Sequence, residues 1–410
     1  MKKCLTYSLL FGIFSAVLLS LFADIICTYL LHSKVQSYLF YIIAISLPFI
    51  SMSSALNGYF TALRKNGKNA VARIFEQFVK ITATAYLLSL FMPSGLEYAC
   101  LSLVFGEAIS EIMSFLFVFA LYRIERKNYT VKDNTKTNYT KSIFEITLPV
   151  SITSYIRSGL ASLKQLLIPL RLEKSGMDCN IAISTYGLIN GMAMPLLMFP
   201  EVIINSFSGL LVPEFTYYYT KNNFNRIREI ISKIFRITLL FSIGIIGVFI
   251  FYSNNISLVI YNNLDIALYL KILAPLLLFM YLDSIVDNIL KGLNQQLSVM
   301  KCNILDLFVS IFCIYILLPI WGVNGYIFII FLSEILNSGI SILQLKQITH
   351  FKFDFKNWII KPFIGIAFSY FVCTLLVPNI IPNISSIILQ IVLFISCYFV
   401  FLLISNSFKV

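Results

Sequence analysis

Leu9-Leu10-Phe11-Gly12-Ile13 returns in the second half of the chain as Leu239-Leu240-Phe241-Ser242-Ile243. The same offset pairs Leu63 with Leu293, Phe78 with Phe308, Val79 with Val309, Ile81 with Ile311 and Gly95 with Gly325. It also sets Glu76 against Asp306, an acid for an acid in the middle of apolar sequence. Single matches of Leu or Ile mean little in so apolar a chain, but one offset held across several segments marks an internal duplication. Both copies lie in runs of about 20 apolar residues, the length that crosses a hydrocarbon core about 30 Å thick. Such runs recur along all 410 residues, of which 59% are hydrophobic and 12% charged, so the chain carries about half the charge of a soluble protein. In lipid, only helices and closed barrels satisfy their own backbone, and these runs are too long for barrel strands. The expected fold class is all-α, a polytopic membrane protein.

Twelve spans are expected, at 5–31, 38–63, 70–92, 98–122, 142–170, 181–212, 232–252, 264–291, 301–319, 323–346, 357–377 and 384–406. The fifth, sixth and tenth are long enough to imply tilt, kinks or ends outside the bilayer. A net charge of +12 raises the question of nucleic acid, and its distribution answers it. Twenty-two of the 31 Lys and Arg fall at the termini or in alternate loops, from Lys2 and Lys3 through Arg64, Lys65 and Lys68 to Lys409, whereas the intervening loops hold Lys34, Arg171 and Lys174. That is the positive-inside pattern; with an even span count it places both termini in the cytoplasm and calls for no nucleic-acid partner.

The eight Cys are scattered, with no CxxC, and the two His, His32 and His350, are far apart, so no metal or haem site is readable. The basic start followed by apolar residues through Phe22 imitates a signal peptide, but the run continues past Ala23 and aligns with an internal span, which favours a first membrane helix. Asn128 and Asn138 match the glycosylation pattern but lie in a basic loop expected in the cytoplasm.

The repeat maps spans one to four onto seven to ten. Pro48 and Pro275 pair at an offset shorter by three, so a few residues were gained or lost nearby. An even number of spans separates the copies, which makes the repeat parallel, about an axis along the membrane normal, and a chain built twice over from membrane helices is a transporter plan. The expected organisation is an N-terminal lobe at 1–127, a cytoplasmic linker at 128–141, a C-terminal lobe at 142–348 and two additional helices at 349–410. Two such pseudo-symmetric lobes would expose a substrate alternately to each side.

Ionisable groups inside spans are costly and usually face a cavity or a partner. Span five carries Arg157 and Lys164, two helical turns apart on one face, with Gln165 beside them. Counted from Ser142, Arg157 sits about 22 Å up the helix, too deep for an inner-interface anchor. One reading is a pair of cations lining a cavity for an anionic group; the other is an inter-helix salt bridge for Arg157 and an outer anchor for Lys164. Span three carries Arg73, Glu76, Gln77 and Lys80 on one polar face, which favours structural pairing of Glu76 with Lys80 or Arg73 within the helix, with substrate contact by Arg73 and Lys80 as the other reading. Glu107, Glu111 and Glu334 lie mid-membrane and are the candidates for coupling to H⁺ or Na⁺, against a bridge to Arg157 or Lys80. Asp283 and Asp287 fall near the inner end of span eight and read as interfacial. Pro195, Pro200 and Pro213, with several glycines, cannot make a straight sixth span; they are hinge candidates or static kinks.

The run Tyr186 through Pro200 to Leu211-Val212-Pro213-Glu214, followed by the basic amphipathic stretch 222–236, resembles the stage V sporulation protein B group. That group lies in the polysaccharide transport branch of the flippase superfamily that also includes multidrug and toxin extrusion transporters. Gly58-Tyr59-Phe60 with Glu76-Gln77, and Leu148-Pro149 with Arg157-Ser158, are similar to further segments of that family. The resemblance implies fourteen helices in two six-helix lobes with two extra C-terminal helices, in a bacterial cytoplasmic membrane. It implies movement of a lipid-linked oligosaccharide or peptidoglycan-type precursor, a polyprenyl-pyrophosphate saccharide, with no resident cofactor and no enzymatic step. Arg157 and Lys164 would suit the pyrophosphate. The family's first two helices have no counterpart here, which agrees with the unmatched spans five and six. The alternatives are a cation-coupled multidrug exporter of the same superfamily, in which carboxylates dominate the cavity, and a non-functional truncated flippase.

Overall fold

The computed structural model describes residues 2–30, 36–63, 65–127, 140–376, 384–405 and 407. Residues 128–139, most of the expected linker and both Asn128 and Asn138, lie outside them, as do His32, Lys34, Arg64 and Lys409. Every described element is helical, and the chain is a multi-pass membrane protein. Ten helices among the described residues are long and apolar enough to cross a membrane. The chain divides into two compact units, Met1–Asn138 and Tyr139–Val410.

The first unit holds α1 (Lys2–Ile25), α2 (Tyr38–Ala62), α3 (Asn66–Phe91) and α4 (Leu96–Arg126). α1 packs on α2, and α4 packs on both α2 and α3. Leu56 and Phe60 of α2, Ala72 of α3, and Phe115, Val118 and Tyr122 of α4 form its core. Met92-Pro93-Ser94 tightens the end of α3 into a 3₁₀ turn, and Gly95 reverses the chain at φ 124°, a conformation closed to residues with a Cβ. At the basic end of α4, Glu125 accepts hydrogen bonds from both Lys65 and Lys68, tying the α2–α3 turn to α4.

Small residues let membrane helices approach closely. A Cβ on Gly106 would collide with Thr84 Oγ1 and lie 3.1 Å from the Thr84 backbone, so α4 and α3 touch there. Gly106→Leu is expected to force these two helices apart at a cost of about 2 kcal/mol, read as a lower thermal unfolding midpoint in detergent. An unchanged midpoint would mean that the contact yields freely.

The second unit holds α5 (Thr140–Glu173), α6 (Cys179–Gly187), α7 (Met194–Met198), α8 (Glu201–Thr220), α9 (Phe224–Tyr261), α10 (Asp265–Leu273), α11 (Leu277–Gly292), α12 (Gln296–Thr349), α13 (Lys361–Leu376) and α14 (Ile384–Ile404). α9 is buried along most of its length, through Phe235, Leu239, Ile243 and Phe249. Tyr281 of α11, fully buried, donates its hydroxyl to the Leu197 carbonyl at 3.0 Å. α13 and α14 pack on α9, where Tyr398 Oη donates to Leu240 O at 2.9 Å and the Phe251 and Tyr370 rings stack at 3.8 Å.

α12, with 54 residues, contains both the ninth and tenth expected spans. It folds back on itself at Gly322, whose φ 54° and ψ −131° no other residue adopts without strain. The contacts Asp306 to Ser333, Ser310 to Ser333 and Asn303 to Asn337 run in opposite senses from that turn, so the two arms lie antiparallel. The sequence pairs Gly95 with Gly325, yet the turn glycine of the second copy is Gly322, three positions earlier. The shorter offset first seen at Pro48 and Pro275 therefore holds at this turn as well. α5, the fifth expected span, is not among the ten membrane-length apolar helices: Arg157, Lys164, Gln165 and repeated Ser and Thr keep it polar. It packs along α12 instead of standing alone against lipid.

Candidate functional site

A polar seam runs through the second unit, assembled from four helices. On α11, Asp283, Ser284, Asp287 and Asn288 recur at helical spacing and share one face. On α12, Asn303, Asp306 and Ser310 line one arm, and Ser333, Glu334 and Asn337 line the other. α8 adds Glu201, Asn205 and Ser208, and α5 adds Lys164.

Their hydrogen bonds form two branches. Lys164 Nζ donates to Ser310 Oγ at 3.2 Å, Ser310 donates to Ser333 Oγ at 3.1 Å, and Ser333 donates to Asp306 Oδ1 at 2.7 Å. In the other branch, Asn337 Nδ2 donates to Asp283 Oδ2 at 2.9 Å, and Ser284 Oγ donates to Glu201 Oε1 at 2.6 Å. Asn288 Nδ2 reaches Ser208 Oγ at 2.6 Å, closing α11 onto α8. Asp283 lies within electrostatic reach of Asp287, Glu334, Asp306 and Glu201, and Glu334 within reach of Asp306 and Lys164. Asp283 Oδ1, Asp287 Oδ1 and Asn337 Oδ1 are buried without a hydrogen-bond partner among the described residues. Buried polar atoms are rarely left so, and clustered carboxylates with free oxygens are what cation or proton uptake needs.

Asp283, read from the sequence as interfacial together with Asp287, therefore belongs to the interior of this seam. Asn337 reaches it from the second arm of α12. Lys164, with outer anchoring as its other reading, is half-buried and turned to Ser310. Arg157 and Gln165 are exposed on α5. Arg157 makes no hydrogen bond or ion pair among the described residues, although the charge of Asp287 lies within its electrostatic reach.

Glu107 and Glu111 belong to the first unit and Glu334 to the second. Lys80 forms its ion pair with Glu107 across α3 and α4, and not within α3 with Glu76. Glu76 instead accepts from Ser114 Oγ at 2.7 Å, because α4 packs on the same polar face of α3. Arg73 is exposed. Glu111 sits within electrostatic reach of Glu76, Glu107 and Lys80. Glu107 and Glu334 are related by the same offset as the two turn glycines, Gly95 and Gly322, so each copy places a glutamate at one fixed distance after its turn.

The sixth expected span is interrupted twice. α6 passes into a π-helical turn, Leu188–Ala193, before Pro195 opens α7. Phe199 and Pro200 then separate α7 from α8, and Pro213 sits inside α8. Asn190, in the π-helical turn, donates to Tyr326 Oη, tying the break to the second arm of α12. Asn190, Tyr326, Ser310 and Ser333 carried no signal above the ordinary scatter of polar residues in membrane helices. Asp306 was marked by the repeat alone.

The profile of the family described as polysaccharide biosynthesis protein matches residues 3–219, just over half of the chain. Stage V sporulation protein B of Bacillus subtilis (strain 168) is 26% identical over 338 residues, which cover 79% of this chain and 65% of that relative. The match thus spans less than two thirds of the relative's length. Among solved structures, lipid II flippase MurJ in an inward closed conformation is similar with a TM-score of 0.69 and 16% identity, over 97% of this chain and 82% of that one. An inward-facing multidrug resistance transporter of the MATE family follows at 0.65 and 12%, over 84% and 80%. At these identities the two structures speak for the fold, and the profile speaks for the family. This chain is a member of the polysaccharide biosynthesis protein family.

Proposed function

We propose that this protein moves a lipid-linked saccharide across the cytoplasmic membrane, by exposing a binding site alternately to each side. The observation that carries this reading is Arg157, an exposed guanidinium in mid-helix with no described hydrogen-bond or ion-pair partner, two turns from Lys164. A planar fork of donors suits the oxygens of a pyrophosphate, which it can engage in pairs. Lys164 adds a second charge on the same face. Support also comes from the names of the two similar proteins, a sporulation protein and a flippase of lipid II. The cluster around Glu334, Asp306 and Asp283 supports coupling of this movement to H⁺ or Na⁺. The hinges are Pro195 and Pro200, where the helix is already interrupted, and Pro213, which sits inside α8.

The acidic seam also favours a second reading, a cation-coupled exporter of cationic compounds. The two part at Arg157. In a strain depleted of its own flippase, the wild-type chain is expected to restore growth and Arg157→Gln to fail. In proteoliposomes the rate of lipid-linked saccharide movement should fall tenfold to a hundredfold, roughly the loss of one charged hydrogen-bonding group. Export of a cationic dye by the same variant should be unaffected. Loss of dye export with saccharide movement intact would establish the second reading instead.

A further inference from the structure

At the basic end of the second unit, away from the polar seam, lies a cavity of about 980 Å³ between α8, the start of α9 and the segment after α12. Its most unusual wall residue is Arg236. The side chain is 8% exposed, its Nε is buried without a partner, and among the described residues it makes no hydrogen bond or ion pair. A guanidinium this far withdrawn from water, with its Nε unpaired among the described residues, is best matched by an anion.

The enclosure is built by the chain that follows α12. His350 ends α12 in a left-handed conformation at φ 52°, which sends residues 351–355 back across α9. Phe351 packs on Phe235 with ring centroids 5.0 Å apart, and Trp358 packs on Phe353 at the same distance. These rings cover the turn of α9 that carries Arg236 and hold it under the cavity wall.

The remaining wall is basic. Arg228, Lys233 and Lys352 line it with exposed ammonium and guanidinium groups. The wall's acids are largely engaged. Glu229 is paired with Arg226 at 2.6 Å. Asp354 accepts from both the backbone and the side-chain amide of Asn357, which hold its carboxyl below the usual carboxylate range. Glu214 is left at the exposed rim against four cations without such partners.

The depth of the site follows from helix length. The 38 residues of α9 span about 57 Å, nearly twice a hydrocarbon core of about 30 Å. The part of α9 from Ile237 to Tyr261 is long enough to cross the core by itself, and when it does so residues 224–236 reach the headgroup level. Trp358, an aromatic of the kind found at that level, closes the wall. Basic pockets between helices at this depth hold phosphate headgroups.

We propose that this cavity is a phosphate-ester site, with Arg236 as its central ligand and Arg228, Lys233 and Lys352 around it, filled by the headgroup of an anionic phospholipid from the leaflet on the basic side. It is separate from Arg157 and Lys164 and does not depend on what the protein transports.

The test uses the full chain purified in neutral detergent, with thermal unfolding read against added phosphatidylglycerol, phosphatidylcholine or inorganic phosphate. A ligand of the native state raises the midpoint saturably. Phosphatidylglycerol is expected to do so and phosphatidylcholine not, and Arg236→Gln should raise the concentration needed about tenfold. Arg236→Lys, which keeps the charge and loses the fork, should fall between them. If inorganic phosphate alone gives the same shift and Arg236→Gln removes it, the phosphate site stands and its source is a soluble anion. An Arg236→Gln protein that responds like wild type, or an equal response to phosphatidylcholine, overturns the proposal. Should Arg236→Gln not fold, the exposed pair Arg228→Gln with Lys352→Gln carries the test, with a loss of about threefold expected; an unchanged response there overturns it too.

Discussion

Lys164→Met is expected to cut transport tenfold to a hundredfold while the protein still folds. Lys164 is the head of a chain of donors in which Ser310 and Ser333 pass the direction of hydrogen bonding on to Asp306. Without the ammonium, Ser310 loses the donor that orients it, and Asp306 and Glu334 lose their nearby positive charge. Methionine keeps most of the volume and none of the charge, so the effect is electrical and not a cavity. A hydrogen bond involving a charged group is worth about 1.5–3 kcal/mol, which sets the size of the expected loss. Hydrogen bonds in series also strengthen one another, so truncating the head weakens the whole relay. The control is the double variant Lys164→Met with Asp306→Asn. Removing both charges should recover the unfolding midpoint that the single change lowers, because an uncompensated buried charge costs more than a lost pair. Additive losses in the double variant, or full transport by Lys164→Met, would sink the relay.

Gly322→Val should lower stability by about 1–3 kcal/mol and the yield of folded protein with it. The cost is local: φ 54° with ψ −131° is closed to a β-branched residue whatever the surrounding space, and the nearest atom to an added Cβ, Ser175 Oγ, is 3.4 Å away. Strain therefore does the damage, and packing does not. Gly339, on the same helix with nothing within 4 Å of an added Cβ, provides the comparison. Gly339→Ala should be neutral or slightly stabilising, as glycine inside a helix is worse than alanine by about 1 kcal/mol. Equal midpoints for Gly322→Val and Gly339→Ala would show that the two arms of α12 can turn another way.

Much of this architecture was legible because membrane helices are written in long apolar runs, and because duplication repeats its punctuation. The antiparallel arms of α12 were readable as two spans. The gap left between them, 320–322, contains the turn glycine Gly322; only the repeat register slipped there, since Gly325 holds the longer of the two registers and Gly322 the shorter. A slip that small is invisible in sequence so rich in Leu and Ile. Lys164 and Glu334 stood out as charges among apolar residues. Their serine intermediaries did not, because Ser hydroxyls in membrane helices most often bond their own backbone, as Ser257 does with Ser253 O. The place of Asp283 in the seam was hidden because its partner Asn337 comes from the second arm of α12. Arg236 was hidden because the other wall of its cavity, His350 to Trp358, comes from far downstream in the chain.

The turn at Gly322 also bears on how the chain enters the bilayer. Between Pro319 and Gly325 stand Ile320, Trp321, Val323 and Asn324, with no ionised side chain among them. The two arms are joined by one residue of non-helical backbone, so there is no hydrophilic loop to carry to the far side. A translocating hairpin pays heavily for each charge it must drag through hydrocarbon. This one can cross turn-first as a preformed helical pair, with Asp306 and Ser333 already joined between its arms.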